Sequence, residues 1–262
     1  ILGCCGYDVQ ILPVIGAGAS FFSKGFIDQA RTHAGRVMDA LAKIDPEREA
    51  PVVGLEPPEV YCLKNDYPDL LPERRAEIEQ RTANVWLLDE FLLRSSEFHN
   101  LRIARKVEEA GLKAGNEITF HPHCHQRAEG LSEDGLPTGT NATLTLLRSC
   151  GFDVELIDSG CCGMAGTFGY EAEHYDLSMK VGELRLFPLL KTRSASGTSP
   201  KSDIKSSDVN STSPIGFGGD WEGVLSSGAA CRMQIRQGTG VEALHPILAV
   251  AGRLKELSHA KE

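Results

Sequence analysis

The sequence predicts an α/β protein of two repeated, doubly wound halves with parallel sheets, related by a pseudo-twofold, and three observations predict it. Short apolar runs, PVVGL (51–55), EITF (117–120), FDVELI (152–157) and GVLSS (223–227), alternate with longer amphipathic stretches, the pattern of strands joined by helical crossovers. Residues 5–18, CGYDVQILPVIGAG, echo residues 150–163, CGFDVELIDSGCCG, with nine of the fourteen ungapped positions identical or exchanged like for like. A chain of 262 residues with 41% apolar content can bury one large core or two smaller ones, and the echo selects two. The halves are taken as 1–105 and 106–262.

In chain order, YDVQIL (7–12) reads as a strand by its alternation. Residues 23–44 read as a helix, with Phe26, Ala30, Ala34, Val37 and Leu41 at helical spacing. PVVGL is a short buried strand, and 72–94 is helical with Pro72 at its start. The second half opens on the strand EITF, passes through a helix over 141–150 to the strand FDVELI, and continues with a helix over about 170–187. GVLSS closes the set of strands, followed by a helix over 246–257. Residues 191–220 are dense in Ser, Thr, Gly, Pro and charge, so they predict a mobile surface insertion. It separates no domains, because the pattern resumes afterwards with LSSGAACRMQI.

The formal charge of −9 lacks the electrostatic footprint of a nucleic-acid binder. No apolar run approaches the roughly 20 residues of a membrane span, and the start ILGCCGYDV lacks the charged and apolar regions of a secretion signal. The expected protein is soluble and cytoplasmic. Because the chain begins inside what reads as a structured segment, it is expected to be a piece of a longer protein.

Eight cysteines fall as two adjacent pairs, Cys4-Cys5 and Cys161-Cys162, with Cys62, Cys124, Cys150 and Cys231 apart. Adjacent cysteines make poor disulfides with each other, and without a secretion signal metal or redox chemistry gains over a disulfide framework. Cys124, Cys161, Cys162 and Cys231 each follow a predicted strand, EITF, FDVELI or GVLSS, and parallel strands end at one edge of a sheet, where ligands bind. Cys161 and Cys162 also sit in a Gly-rich turn ahead of a helix, where free N–H groups favour thiolate. Four thiolates at one edge suit an iron–sulfur cluster or a tetrahedral zinc; buried packing is the bland alternative, though adjacent cysteines in a glycine-rich loop fill a core badly.

Those residues carry a resemblance. A cysteine, some three dozen residues, Cys-Cys-Gly and a later cysteine resemble the CCG (cysteine-rich) domain. That domain is found in the B subunit of heterodisulfide reductase, the glycolate oxidase iron–sulfur subunit, the C subunit of anaerobic glycerol-3-phosphate dehydrogenase and the tail of FAD-linked oxidases. HPHCHQ, SGCCGMAGTFGYEAEHYDLSMKVGELRLFP and GAACRMQI with GTGVEALHP are especially similar to long FAD-linked oxidases of D-lactate-type 2-hydroxy acids. The likeness covers nearly the whole chain, more loosely in the first half through GFIDQAR and VGLEPPEVYCLKNDYP. It implies a 4Fe-4S-type cluster on Cys124, Cys161, Cys162 and Cys231, passing electrons from FAD to a quinone or other acceptor. The FAD would lie on a flavin-containing dehydrogenase domain or subunit, with a ferredoxin-like cluster domain as a further partner. The chain itself has neither a flavin-binding domain nor a ferredoxin run, so no hydride-transfer site is expected in it. A heterodisulfide-reductase-like catalytic cluster and a zinc-binding structural or assembly module are the alternatives, and peripheral association at the inner face of a membrane stays open.

The family carries two such domains per chain, which explains the echo. The resemblance places a Cys-Cys-Gly at Gly16-Ala17-Gly18 and a cysteine near Glu59, and both are missing. The first half therefore reads as a fold that has lost its site, with Gly16-Ala17-Gly18 expected to lie on Cys161-Cys162-Gly163. Cys5 is then the counterpart of Cys150, a buried helix-end residue. Where relatives have Cys-x-x-Cys at the last position, this chain has only Cys231, preceded by Gly228. His121, His123 and His125 would point to one face if their segment continued the strand; they are given no ligand role. His174 reads as a solvated helix residue with an ion pair. Arg232 and Gln234 are open between bonding cluster sulfurs and capping a loop.

Overall fold

The computed structural model describes residues 1–14, 16–109, 117–195 and 223–259. It is an α/β structure with two parallel sheets. β1 (Val52–Gly54) pairs with β2 (Val85–Leu87). The second sheet has the order β4-β3-β5, with β3 (Glu117–His121) between β4 (Asp153–Leu156) and β5 (Gly223–Ser226). Its register sets Ile118 opposite Val154 and Gly223, and His121 opposite Ser226.

Alternation along β3 and β5 sends side chains to two separate cores. On one face Ile118, Phe120 and Leu225 pack with Leu146 and Leu147 of the helix Gly139–Ser149 and with Val250 and Leu257 of the helix Pro246–His259. On the other, Val224 packs with Leu186, Phe187, Ile235, Cys162 and Cys231, which lie in or beside the helices Leu186–Ala195 and Ala229–Thr239. Each fully buried Ile or Phe contributes roughly 1.5–3 kcal/mol. A third core forms around the first sheet from Ala30, Ala34, Val37, Met38 and Leu41 of the helix Ile27–Ile44, with Tyr61, Tyr67, Val85 and Leu87.

The segment 88–107 belongs by packing to the second sheet, since Leu92, Phe98, Ile103 and Val107 join Ile118 and Phe120. Glu90, fully buried, ties the regions together: its carboxylate accepts from Tyr61 Oη (2.9 Å), Gly139 N (2.8 Å) and Leu87 N (3.0 Å).

Four expectations change. YDVQIL (7–12) is not a strand. Tyr7 is drawn to the core around Ile118 and Phe120, its hydroxyl donating to Ser95 Oγ at 3.0 Å and its ring packing edge-on against Phe91, while Ile11 is 88% exposed. Alternation gives a segment two faces but supplies no partner strand. Residues 72–94 are not one helix: a turn of 3-10 helix, Pro72–Arg74, leads to the helix Arg75–Thr82, then β2, then the helix Leu88–Arg94. Val-Trp-Leu suits a strand, and pairing with β1 decides the matter. The helix expected from residue 23 begins at Ile27, after a short helix Ala19–Ser23. The helix Leu186–Ala195 runs into the expected insertion at its start; the rest of that insertion, from residue 196, lies outside the described residues.

Candidate metal centre

All three strands of the second sheet point the same way, so their C-terminal ends share one edge. Cys124 opens the helix Cys124–Ala128 just past β3, Cys161 and Cys162 lie in the loop after β4, and Cys231 sits in the first turn of the helix Ala229–Thr239 after β5. The structure brings all four sulfurs together as a chain of contacts: Cys161 meets Cys124 and Cys162, and Cys162 meets Cys231. Cys162 and Cys231 are buried, Cys124 and Cys161 partly so. Cys62 lies in the first-sheet core, Cys5 and Cys150 in the core on the far face of the second sheet, and Cys4 is exposed.

The sulfurs hydrogen-bond to one another in series, and those bonds shift their acidities in opposite directions. Cys161 is held well below the ordinary thiol range chiefly by the hydrogen bond from Cys124, helped by Cys162, with Gly163 N donating to its Sγ at 3.3 Å. Cys231 is likewise lowered, first by Cys162. Cys124 and Cys162, the donors, are pushed up, each first by its bond to Cys161. A cation taken up by the sulfurs displaces the protons they carry.

The loop geometry depends on glycine at two places. Gly163 has φ of +100°, and a Cβ there would lie 2.2 Å from Ser178 O, so no other residue lets the Cys-Cys turn pack against the helix Tyr175–Leu184. At Gly228 a Cβ would lie 2.4 Å from His123 Cδ2 and 3.3 Å from Cys231 Sγ. The His123 ring occupies the room a side chain at 228 would need.

The histidines take separate places. His121 ends β3, buried, with Nδ1 2.7 Å from Ser159 Oγ. His123 caps the next helix, its Nδ1 accepting from His125 N at 3.1 Å; burial pushes its imidazole below the ordinary value, which keeps that acceptor available. His125 is exposed. They do not share one extended face, because the strand stops at His121 and a helix starts at Cys124. His121, Cys162 and Cys231 present ligand atoms all within 4.8 Å of one another, a group that could hold a metal. The sequence singles out His121 among three alternating histidines without giving it a ligand role, and the register opposite Ser226 is what places it.

Arg232 caps the loop, donating to Ser226 O (2.9 Å) and Ser227 O (2.7 Å), and Gln234 donates to Ser178 O and Oγ. His174 stacks on Phe168 and pairs with Glu171 at 2.7 Å. Glu56, not anticipated, accepts from Ala229 N at 2.9 Å and pairs with Arg232 at 3.1 Å, so the first region braces the helix that carries Cys231.

The donor set suits a thiophilic metal or cluster. Ser226 Oγ and Ser227 Oγ, beside it at the end of β5, are buried without a hydrogen-bond partner among the described residues, as hydroxyls awaiting an acceptor would be. No helix among the described residues is long and apolar enough to cross a membrane.

Comparison with known proteins places this geometry beside two kinds of dehydrogenase. The chain is 24% identical over 250 residues to D-2-hydroxyglutarate dehydrogenase of Escherichia coli (strain K12), covering 95% of this chain and 20% of that protein. It is 27% identical over 245 residues to the enzyme of the same name from Pantoea ananatis, covering 94% of this chain and 19% of that protein. To the C subunit of anaerobic glycerol-3-phosphate dehydrogenase of E. coli K12 it is 25% identical over 264 residues, covering 97% of this chain and 53% of that one. No family model matches the chain, and no solved structure matches it significantly. The chain therefore spans about a fifth of the first two relatives and about half of the third, and nearly all of it is similar to part of a dehydrogenase.

Proposed function

We propose that this chain is the iron–sulfur electron-transfer part of a flavin-linked 2-hydroxy-acid dehydrogenase, of the CCG domain type. The observation that carries the reading is the single line of four sulfurs drawn from three strand ends. The relatives' names agree with it: both are dehydrogenases, one named for a 2-hydroxy acid and the other a subunit of a larger assembly. In this reading Cys124, Cys161, Cys162 and Cys231 hold a 4Fe-4S-type cluster, which supplies one-electron transfer. The protein's own contribution is to anchor the sulfurs on rigid strand ends, to donate Gly163 N–H to Cys161, and to bury Cys162 and Cys231 from water. FAD and hydride chemistry belong to another domain or subunit, with a quinone or similar acceptor beyond the cluster. Residues 1–105 keep the fold without the site.

Zinc is the second reading, favoured by the compact group of His121, Cys162 and Cys231, since mixed Cys/His sets hold structural zinc. Anaerobic reconstitution with ferrous iron and sulfide separates the two. Bound iron and sulfide in comparable amounts, with a visible band that bleaches on reduction, is the expected result, and zinc retained without sulfide would replace it by the structural reading. Cys161→Ser or Cys162→Ser is expected to abolish bound iron, while Cys62→Ser and Cys150→Ser leave it in place.

A further inference from the structure

We infer that His121 is a nitrogen ligand of this centre, bound through Nε2 beside Cys162 and Cys231, with Ser159 as the residue that positions its ring. The inference rests on the site being a metal centre and deepens that reading. His121 is 1% exposed at the C-terminal end of the central strand. Its Nδ1 is engaged by Ser159 Oγ at 2.7 Å, so Nε2 is the nitrogen left for the sulfurs, and the ligand atoms of His121, Cys162 and Cys231 lie within 4.8 Å of one another. A metal-bound histidine characteristically gives its other ring nitrogen to an oxygen partner, which fixes the tautomer and the orientation of the ring. Ser159, itself buried, is that partner.

The ring also faces the correct core. Register along the sheet sets His121 opposite Ser226, two residues on from Val224, whose side chain packs with Cys162 and Cys231; side chains two apart on a strand share a face. His123 is a poorer candidate. It lies outside the group whose ligand atoms are all within 4.8 Å of one another, and its Nδ1, which accepts from His125 N, stands 3.8 Å from Cys124 Sγ at the other end of the sulfur chain. His121 joins the four thiols as a fifth donor at the site, beside the two buried sulfurs, Cys162 and Cys231.

Cobalt(II) alone, added anaerobically to the full chain, tests this by proton NMR. Coordination through Nε2 leaves Nδ1–H as a strongly shifted, exchangeable resonance. One such resonance is expected in the wild-type chain, lost in His121→Gln and retained in His123→Gln. Ser159→Ala is expected to keep the resonance and to speed its exchange with water several-fold, which a merely space-filling Ser159 would not do. Its absence from the cobalt-loaded wild-type chain, or its survival in His121→Gln, overturns the inference. If His121→Gln does not fold, Ser159→Ala decides, and an exchange rate unchanged from wild type overturns it. Failure of both cobalt and iron to bind sinks the metal centre itself, whereas binding without the imidazole resonance sinks only the role of His121.

Discussion

The loop at 16–18 and the loop at 161–163 share a left-handed glycine at their last position, differ at their first, where Gly16 has φ +68° and Cys161 has no positive φ, and are filled by opposite means. Gly18 and Gly163 both have positive φ, +87° and +100°, as do Gly6 and Gly151, +85° and +82°, at the start of each echo. In the second loop the free groups face sulfur, with Gly163 N donating to Cys161. In the first, Ala17 N and Gly18 N both donate to the Glu59 carboxylate, His33 Nε2 reaches Gly16 O at 3.0 Å, and Tyr67 Oη donates to Ala17 O at 2.7 Å. A turn that aims amide N–H groups inward needs an anion, and Glu59, near which the family resemblance places a cysteine, supplies it from a side chain. In the first loop one carboxylate thus meets the amides that, in the second, sulfur meets.

The largest expected effect tests how the two regions are joined. Asp89, 6% exposed, bonds Thr143 of the Gly139–Ser149 helix and Glu90 N, and burial pushes its carboxyl up to about 7. Its folded value lies above its unfolded value, so the unfolded chain loses its proton first. The contribution of Asp89 is fully present below about pH 4 and is lost as pH rises to about 7, by about 4 kcal/mol in all at about 1.4 kcal/mol per unit. Asp89→Asn removes that slope. Denaturant melts should show the variant less stable than wild type near pH 4.5, where a bond is lost, and more stable near pH 8. Parallel pH profiles would mean that Asp89 is ionised in the fold and the junction is polar rather than dry.

Glu59→Ala comes next. It strips two amides of a charged acceptor, at a cost of about 2 kcal/mol by denaturant melt, while iron bound at the other loop stays the same. Glu59→Gln, which keeps an acceptor oxygen, should lose less. If both variants melt as wild type, the first loop is held by His33 and Tyr67 and the carboxylate is incidental. Cysteines placed at Gly16 and Ala17 with Glu59 kept should add no iron, because a Cβ at Gly16 already lies 2.9 Å from Glu59 Oε2.

What could be read from the sequence divides along the same line. The strands EITF and GVLSS were legible as short runs buried in a parallel sheet, FDVELI as an edge strand that alternates buried and exposed residues, and the convergence of Cys124, Cys161, Cys162 and Cys231 followed from strand direction alone. YDVQIL and VWL were not, since the first alternates without a partner and the second hides inside a helical pattern until β1 pairs with it. The roles of Glu56, Glu59 and His121 were illegible for a different reason. Their roles are contacts between distant segments, at sequence separations of 173 for Glu56 to Ala229 and 42 for Glu59 to Ala17, which no local pattern encodes.

The smallest effect asks whether the first region serves the second. The LEPPE segment supplies two carboxylates with different targets: Glu59 closes its own loop, and Glu56 reaches across to Ala229 N and Arg232 at the start of the helix carrying Cys231. That helix begins at Gly228, which has no side chain to cap it, so an anion there satisfies an open N–H and favours the helix dipole. Glu56 is about a third exposed, and water screens much of the charge term. Glu56→Ala should therefore cost only about 1 kcal/mol in a denaturant melt. Its clearer signature is kinetic. With the first turn less firmly held, Cys231 should release metal to a chelator faster than in wild type, while Glu59→Ala leaves that rate unchanged. Equal chelation rates in wild type and Glu56→Ala would show that the second site stands without its neighbour, and that the first region is retained for some other surface than the one facing Cys231.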